Sequence, residues 1–413
     1  MPKTILFIES SLTGGGSAVS LNQLLQTIDR KEINPIVVFL NDHPQVEVTR
    51  NLGIKVYMVD DWLLTKTGSY SSSISKKLAQ TTHLYFLRII KVLPFLALYL
   101  NIILHFAVIL KIRKIIKHET PSIVHLNVQI LRDLFGLIAA NSCGIHCVSY
   151  LRSTPYLQST PDRKIESSVL NMINSKTTQF IANSKFTANS WSELGIRKDK
   201  ISIVHNVVDI SNIESINLDD HVPVNIKEKF VVGLLAPLRN FAKVDEFVIN
   251  AFHKFHNDFQ DSVLLIVGDG PLRKTLEDKV AQLSLEESVL FLGYQEKPLS
   301  LLKEFDVSLV LNNHDTLSRV AIESLHVGTL LVASDVGGIR ELVDSKENGF
   351  LIDYGDTDGV FNALRQIKTK SIDSKTIIEN GKKTVSDKFN ILKNTNKICD
   401  IYSQILTIEK GIK

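Results

Sequence analysis

Short runs of apolar, mostly β-branched or aromatic residues recur along the chain, with helical periodicities between them. In the first half the runs are Thr4–Ile8, Pro35–Leu40, Val56–Val59, Ile123–Leu126, Cys147–Leu151, Gln179–Ile181 and Ile201–Val204. In the second half they are Phe230–Leu235, Val263–Val267, Val289–Leu292, Val307–Leu311 and Leu330–Ala333. Strands that stay apolar at consecutive positions are buried on both faces, and their alternation with helices predicts parallel sheets covered on either side. Between the two series, residues 209–224 turn polar and aperiodic, with Ser211, Asn212, Asn217, Asp219, Asp220 and Pro223, which marks a linker. The pattern therefore predicts an α/β chain of two doubly wound domains, over 1–215 and 222–389. From Asn390 to Ile408 the periodicity is helical, with Ile391, Ile398, Ile401, Tyr402 and Ile405 on one side, so residues 390–413 are expected to pack back on the first domain.

Composition narrows the partners. Lys and Arg number 47 against 44 Asp and Glu, a balance that excludes nucleic acid bound along the whole chain and makes any basic function local. Three cysteines, Cys143, Cys147 and Cys399, supply neither a disulfide framework nor a zinc set. Glu9 interrupts the first apolar run after five residues, too early for a secretory signal, so a cytoplasmic chain is expected. Charge is nonetheless segregated: between Asp61 and Glu119 there is no acidic residue but there are nine Lys and Arg. Inside that interval Val92–Leu110 is a 19-residue stretch without charge. It reads as a membrane span, a buried helix or a monotopic segment; Pro94, Asn101 and His105 weaken the span. Apolar residues flanked by Lys and Arg are the paired signals of attachment to an anionic membrane surface, here through residues 62–118.

Three segments carry candidate chemistry. Gly14–Gly16 lies between the first strand and its helix, where backbone N–H groups accept an anion, with Ser17 expected as the helix cap; it lacks the G-x-G-x-x-G pattern and the lysine of a P-loop, and a plain tight turn remains an alternative. Val267–Pro271, VGDGP, repeats the strand–glycine–helix arrangement with Pro271 at the expected first helical position, at the sheet edge where ligands bind in open α/β folds. In Asp306–Leu342, Asp315 follows a strand, Glu323 comes eight residues later, and Gly337-Gly338 follows the next strand. Carboxylates beside glycine turns suit sugar hydroxyls, although isolated carboxylates are more often solvated surface groups.

In their order and spacing these segments resemble the retaining glycosyltransferases of the GT-B fold, specifically the family 4 group that uses nucleotide-sugar donors. The resemblance rests on Gly14–Gly16, the FIANS ending at Ser184, HNVVD at 205–209, VGDGP at 267–271, FLGY at 291–294, and Asp315…Glu323 with Gly337-Gly338. It implies a GT-B architecture, two Rossmann-like domains facing a central cleft, with the acceptor side first and the donor side second. The donor-binding set it implies is Gly15, Gly16, Gly268, Asp269, Gly270, Gly293, Tyr294, Asp315, Leu317, Ser318 and Glu323. Glu323 inherits the carboxylate that holds the donor ribose. Asp315 stands one methylene short of the family's first Glu, and Leu317-Ser318 replace the usual Phe-Gly. The family neutralises the diphosphate with an Arg and a Lys five residues apart. Counting back from Ala251-Phe252 puts Lys243 at the Lys and Leu238 at the Arg; counting forward from Gly233 puts Arg239 and Leu234 there. Arg239 and Lys243 together are thus the expected catalytic clamp, with Asp315 beside the sugar. Arg152, in SYLRSTP, takes the place of a His or Arg on the acceptor side, to meet either an acceptor phosphate or a surface carboxylate. Asn206-Val207-Val208-Asp209 departs from the usual Asn-Gly-Val-Asp. Neither metal nor cofactor is implied, the nucleotide-sugar being a substrate.

The implied function is transfer of a hexose-type sugar from a nucleoside-diphosphate sugar to a glycan or lipid-linked acceptor, peripherally at the inner membrane face, in polysaccharide or lipopolysaccharide assembly. Three rivals stand beside it: a nucleotide-sugar epimerase, a nicotinamide-dependent oxidoreductase whose glycine fingerprint is missing, and a catalytically degenerate membrane-associated partner.

Overall fold

The structure, a computed structural model, describes residues 2–11, 14–59, 105–128, 130–131, 133–155, 167–206, 226, 228–239, 244–295 and 298–411. The chain divides into two compact units, Met1–Val207 with Ile391–Lys413, and Val208–Asn390. The polar stretch read as a linker lies almost wholly outside the described residues.

In the first unit β1 (Lys3–Glu9), α1 (Gly16–Thr27), β2 (Ile33–Phe39), α2 (Pro44–Asn51), β3 (Lys55–Met58) and α3 (Phe106–Glu119) are followed by β4 (Ile123–Leu126), α4 (Leu134–Ser142), β5 (His146–Leu151), α5 (Ser167–Lys176), β6 (Gln179–Ala182), α6 (Lys185–Leu194) and β7 (Ile201–Ile203). The sheet is parallel throughout, in the order β3-β2-β1-β4-β5-β6-β7. Successive residues of β1 serve opposite faces: Ile5 and Phe7 join α1 and α2, whereas Leu6 and Ile8 join α3, α4, α5 and α6. This is why Ile5–Ile8 is an unbroken apolar run between Thr4 and Glu9.

The second unit runs β8 (Phe230–Leu235), α7 (Glu246–Asp258), β9 (Ser262–Val267), α8 (Arg273–Gln282), β10 (Val289–Gly293), α9 (Pro298–Leu302), β11 (Val307–Val310), α10 (Arg319–Val327), β12 (Leu330–Ser334), β13 (Phe350–Ile352), α11 (Thr357–Lys368) and α12 (Ser374–Lys388). Its parallel sheet has the order β10-β9-β8-β11-β12-β13. Strand β13, absent from the pattern reading, is a three-residue strand at the edge of the sheet. The helix after VGDGP begins at Arg273, two residues beyond Pro271, because Pro271 and Leu272 form a turn first.

The last helix, α13 (Ile391–Gly411), returns to the first unit. Ile398, Ile401, Tyr402 and Ile405 enter the core beside Ile5, Phe7, Val148 and Tyr150, and the Thr27 and Thr395 hydroxyls meet at 2.7 Å. Nδ1 of His125, on β4, shares a 2.6 Å hydrogen bond with the Tyr402 hydroxyl, and burial lowers the imidazole pKa to about 3.

In each sheet the chain leaves from the middle and builds outward in both directions, so the strand order reverses between β1 and β4 and between β8 and β11. Crevices at the carboxyl ends of such strand pairs are where open α/β sheets bind ligands. Both sets of candidate residues lie at these edges.

Candidate functional site

At the β8–β11 edge of the second unit, the VGDGP turn crosses the loop that follows β8. A Cβ on Gly268 would stand 2.0 Å from the Ala236 carbonyl oxygen, and one on Gly270 2.3 Å from that of Leu238. Gly268 also has φ +136°, so glycine is required twice over. Hydrogen bonds from Leu238 N to Asp269 O and from Leu272 N to Leu238 O lock the two loops together. The Asp269 side chain is exposed and accepts from Gly270 N at 2.7 Å. Gly293, at φ +66°, ends β10 and projects Tyr294, which is 79% exposed.

Asp315 and Glu323 are both buried, at 5% and 7% exposure, which sets aside the solvated-surface alternative. Asn312 donates to the Asp315 carboxylate at 2.7 Å, and Gly338 N, in the second glycine turn, donates to the Asp315 carbonyl at 3.3 Å. Ser318 caps α10 by accepting from Ala321 N, and Leu317 packs into the core with Ala321 and Ile322. The departure from Phe-Gly therefore preserves an apolar plug followed by a helix start. Burial holds the Glu323 carboxyl above the usual carboxylate range, opposed by Arg319, whose Nη2 donates to Oε1 at 3.1 Å from one turn earlier.

The clamp is only partly in view. Leu238 and Leu234 are buried in the apolar core, so whichever register is taken, the family's Arg position belongs to the interior. Arg239 is exposed, and Lys243 lies outside the described residues.

At the β1–β4 edge of the first unit, Gly15 is the cap of α1, not Ser17. Ser17 is inside the helix and its Oγ donates to Glu9 Oε1 at 3.1 Å, an interaction that sequence reasoning missed. Glu9 is fully buried and also accepts from Ser11 N and from the amide of Asn127. The Asn127 carbonyl and side-chain oxygens accept from Arg152 Nε at 2.7 Å and Nη2 at 2.9 Å; Asn206 Oδ1 accepts from Nη1 at 3.2 Å. The guanidinium also lies 3.8 Å from the Tyr150 ring centroid. Asn183 of FIANS donates to the Arg152 carbonyl, and Ser184 caps α6. The motif pieces around Arg152 are thus its scaffold. Beside them, Ser11 Oγ, Asn41 Oδ1 and both ring nitrogens of His43 are buried without hydrogen-bond partners, and His43 Nδ1 abuts Gly14. Such atoms are unspent hydrogen-bonding capacity next to the glycine turn. In the sequence Glu9 stood out only as a carboxylate ending an apolar strand.

Residues 60–104, most of the basic apolar segment, lie outside the description. The part described is α3: Val108, Ile109, Ile112 and Ile116 are buried, while Phe106, Leu110, Lys111, Lys114 and Lys117 are exposed. Among the described residues no helix is long and apolar enough to cross a membrane.

Two parallel-sheet units with glycine turns and buried carboxylates at their switch points define a GT-B-fold glycosyltransferase. The chain belongs to glycosyltransferase family 4: residues 14–212 match the family model described as Glycosyltransferase Family 4, and residues 221–384 that described as Glycosyl transferases group 1. Among its relatives, it is 28% identical over 314 residues (71% of this chain, 78% of the relative) to the Escherichia coli UDP-Gal:alpha-D-GlcNAc-diphosphoundecaprenol alpha-1,3-galactosyltransferase. It is 26% identical over 311 residues (73% and 80%) to the N-acetyl-alpha-D-glucosaminyl L-malate synthase of Bacillus anthracis. The fold matches that of Anabaena Alr3699/HepE, solved in complex with UDP, with a TM-score of 0.75, 20% identity and coverage of 97% of this chain and 100% of the other.

Proposed function

We propose that the second unit binds a nucleoside-diphosphate sugar and that the enzyme passes the sugar, with retained anomeric configuration, to a lipid-linked glycan acceptor met by the first unit. The observation that carries this reading is Glu323, a buried carboxylate on α10, the helix that follows the buried Asp315, where it accepts from ribose hydroxyls. Asp315, Gly268–Gly270 and the Gly337-Gly338 turn surround the transferred sugar and the phosphates. Arg239 and Lys243, of the second unit, stabilise the departing diphosphate. The reaction needs no metal, and activity is expected to survive chelation with EDTA.

Arg152 is the acceptor-side cation. A guanidinium held in one orientation by Asn127 and Asn206 suits a phosphate or carboxylate on the acceptor. The E. coli relative, named for a diphosphoundecaprenol acceptor, favours a lipid-linked substrate in polysaccharide or lipopolysaccharide assembly. The malate synthase relative favours a small anionic acceptor as the second reading. The outer face of α3 supports the first, since Phe106, at 55% exposure, and Leu110 stand next to Lys111, Lys114 and Lys117. We place the enzyme peripherally on the cytoplasmic membrane face. Replacing Lys111, Arg113, Lys114 and Lys117 by Gln is expected to release it from anionic vesicles, at about 1 kcal/mol per charge; undiminished binding refutes the placement.

The function is tested by thermal unfolding with UDP, GDP, ADP and a nicotinamide dinucleotide. A ligand at 100 times its Kd adds about 2.7 kcal/mol. Stabilisation by one diphosphate supports the reading. A response to the dinucleotide alone overturns it, and no response to any favours a degenerate partner.

A further inference from the structure

The position from which the family's Arg would reach the diphosphate is, in this chain, a core leucine. Leu238 is fully buried among Leu272 and Leu276, and Leu234, at that position in the other register, is an interior residue of β8. A departing diphosphate is stabilised by positive charge placed beside it. Among the cations at the same edge, one stands beside Glu323. Arg319 is the first residue of α10, its side chain 20% exposed, and it pairs with Glu323 on the same helical face.

Resting on the donor-site reading above, we propose that Arg319 binds the donor diphosphate, supplying from α10 the charge that Leu238 cannot. The placement follows from the shape of a nucleoside diphosphate. With the ribose hydroxyls on Glu323, the phosphates lie toward one end of α10, and only the amino-terminal end favours an anion. Arg319 stands there, one helical turn from Glu323. Ser318 caps this end by accepting from the N–H of Ala321. Arg319 and the ribose hydroxyls then compete for one carboxylate, and binding of the nucleoside releases the guanidinium to the phosphates. A guanidinium also matches two phosphate oxygens at once, which a lysine does not.

The test compares nucleoside with nucleoside diphosphate by titration calorimetry, using the uridine/UDP, guanosine/GDP or adenosine/ADP pair that binds the wild type. In Arg319→Gln the diphosphate is expected to bind at least about tenfold more weakly while the nucleoside changes less than about twofold. Arg319→Lys, which keeps the charge, is expected to fall between the two and also guards against misfolding. Equal losses for nucleoside and diphosphate would show that Arg319 acts only by orienting Glu323, and unchanged affinities would show that it does nothing at the site; both overturn the proposal and leave the donor reading standing. A wild type that binds no diphosphate sinks the donor reading and the proposal together.

Discussion

Glu323 offers the sharpest perturbation because stability and binding should move in opposite directions. Its side chain is 9% exposed, and burial outweighs the Arg319 pair in holding its pKa above the ordinary value. A group whose folded pKa is raised stabilises the fold fully at low pH and loses that contribution as pH rises through the folded pKa. At pH 7.5 the ionised side chain therefore costs stability, and Glu323→Gln, of the same shape but uncharged, is expected to unfold at a higher temperature than wild type without ligand. The same change replaces a charged acceptor by a neutral one. A desolvated hydrogen bond to a charged group is worth about 1.5–3 kcal/mol and a neutral one about 0.5–1.5, so nucleoside diphosphate should bind about fivefold more weakly. Glu323→Ala loses the acceptor altogether, about 10- to 150-fold. Calorimetric titration across pH adds a third signature: wild-type affinity falls as acid protonates Glu323, beginning above the usual carboxylate range, while the Gln variant stays flat. A variant that is both less stable and unchanged in affinity would make Glu323 a structural residue and refute the reasoning.

Gly268→Ala is expected to cost about 1–3 kcal/mol for its backbone angle alone, with the clash at 2.0 Å added; Gly144→Ala, also at positive φ but with open space around it, is the control in urea unfolding, and equal losses would refute the close-approach argument. Arg152→Lys keeps the charge but not the fork to Asn127 and Asn206, so turnover is expected to fall at least about tenfold with nucleotide affinity unchanged; a matching loss of nucleotide affinity would contradict an acceptor-side role. His125 has a folded pKa near 3 against 6.5 for the free side chain. The unfolded chain then binds the extra proton, and stability declines as pH falls from 6.5, by about 1.4 kcal/mol per unit. Relative to His125→Phe, wild type should lose about 2 kcal/mol between pH 6.5 and 5; parallel curves would mean the imidazole is protonated in the fold.

Much of this architecture was legible because parallel strands buried on both faces write themselves as unbroken apolar runs. Every run assigned from the pattern is a strand, and the one described strand missed is β13 at the edge of the second sheet. Asp315 and Glu323 could be located by spacing to glycine turns, but their burial could not. Arg319 was invisible for a related reason: an Arg four residues before a Glu is the ordinary signature of a solvated helix pair, and only the 9% exposure of the Glu323 side chain distinguishes this one. Ser17 was misplaced as a cap because its partner, Glu9, is bonded across the sheet edge and not along the helix. The His125–Tyr402 bond joins residues 277 apart, beyond any local pattern.

That bond sets a schedule for synthesis. When Val207 has been made, one face of the first sheet, with Ile5, Phe7, His125 and Tyr150, still lacks α13, and the whole of Val208–Asn390 must be translated before it arrives. At 5–20 residues per second the wait is on the order of tens of seconds. The first unit thus spends that interval as an incomplete domain while the second becomes able to fold. Chain order and folding order are inverted, and a ribosome stalled before Ile391 would release a protein whose second unit is finished and whose first unit is exposed to chaperones and proteases.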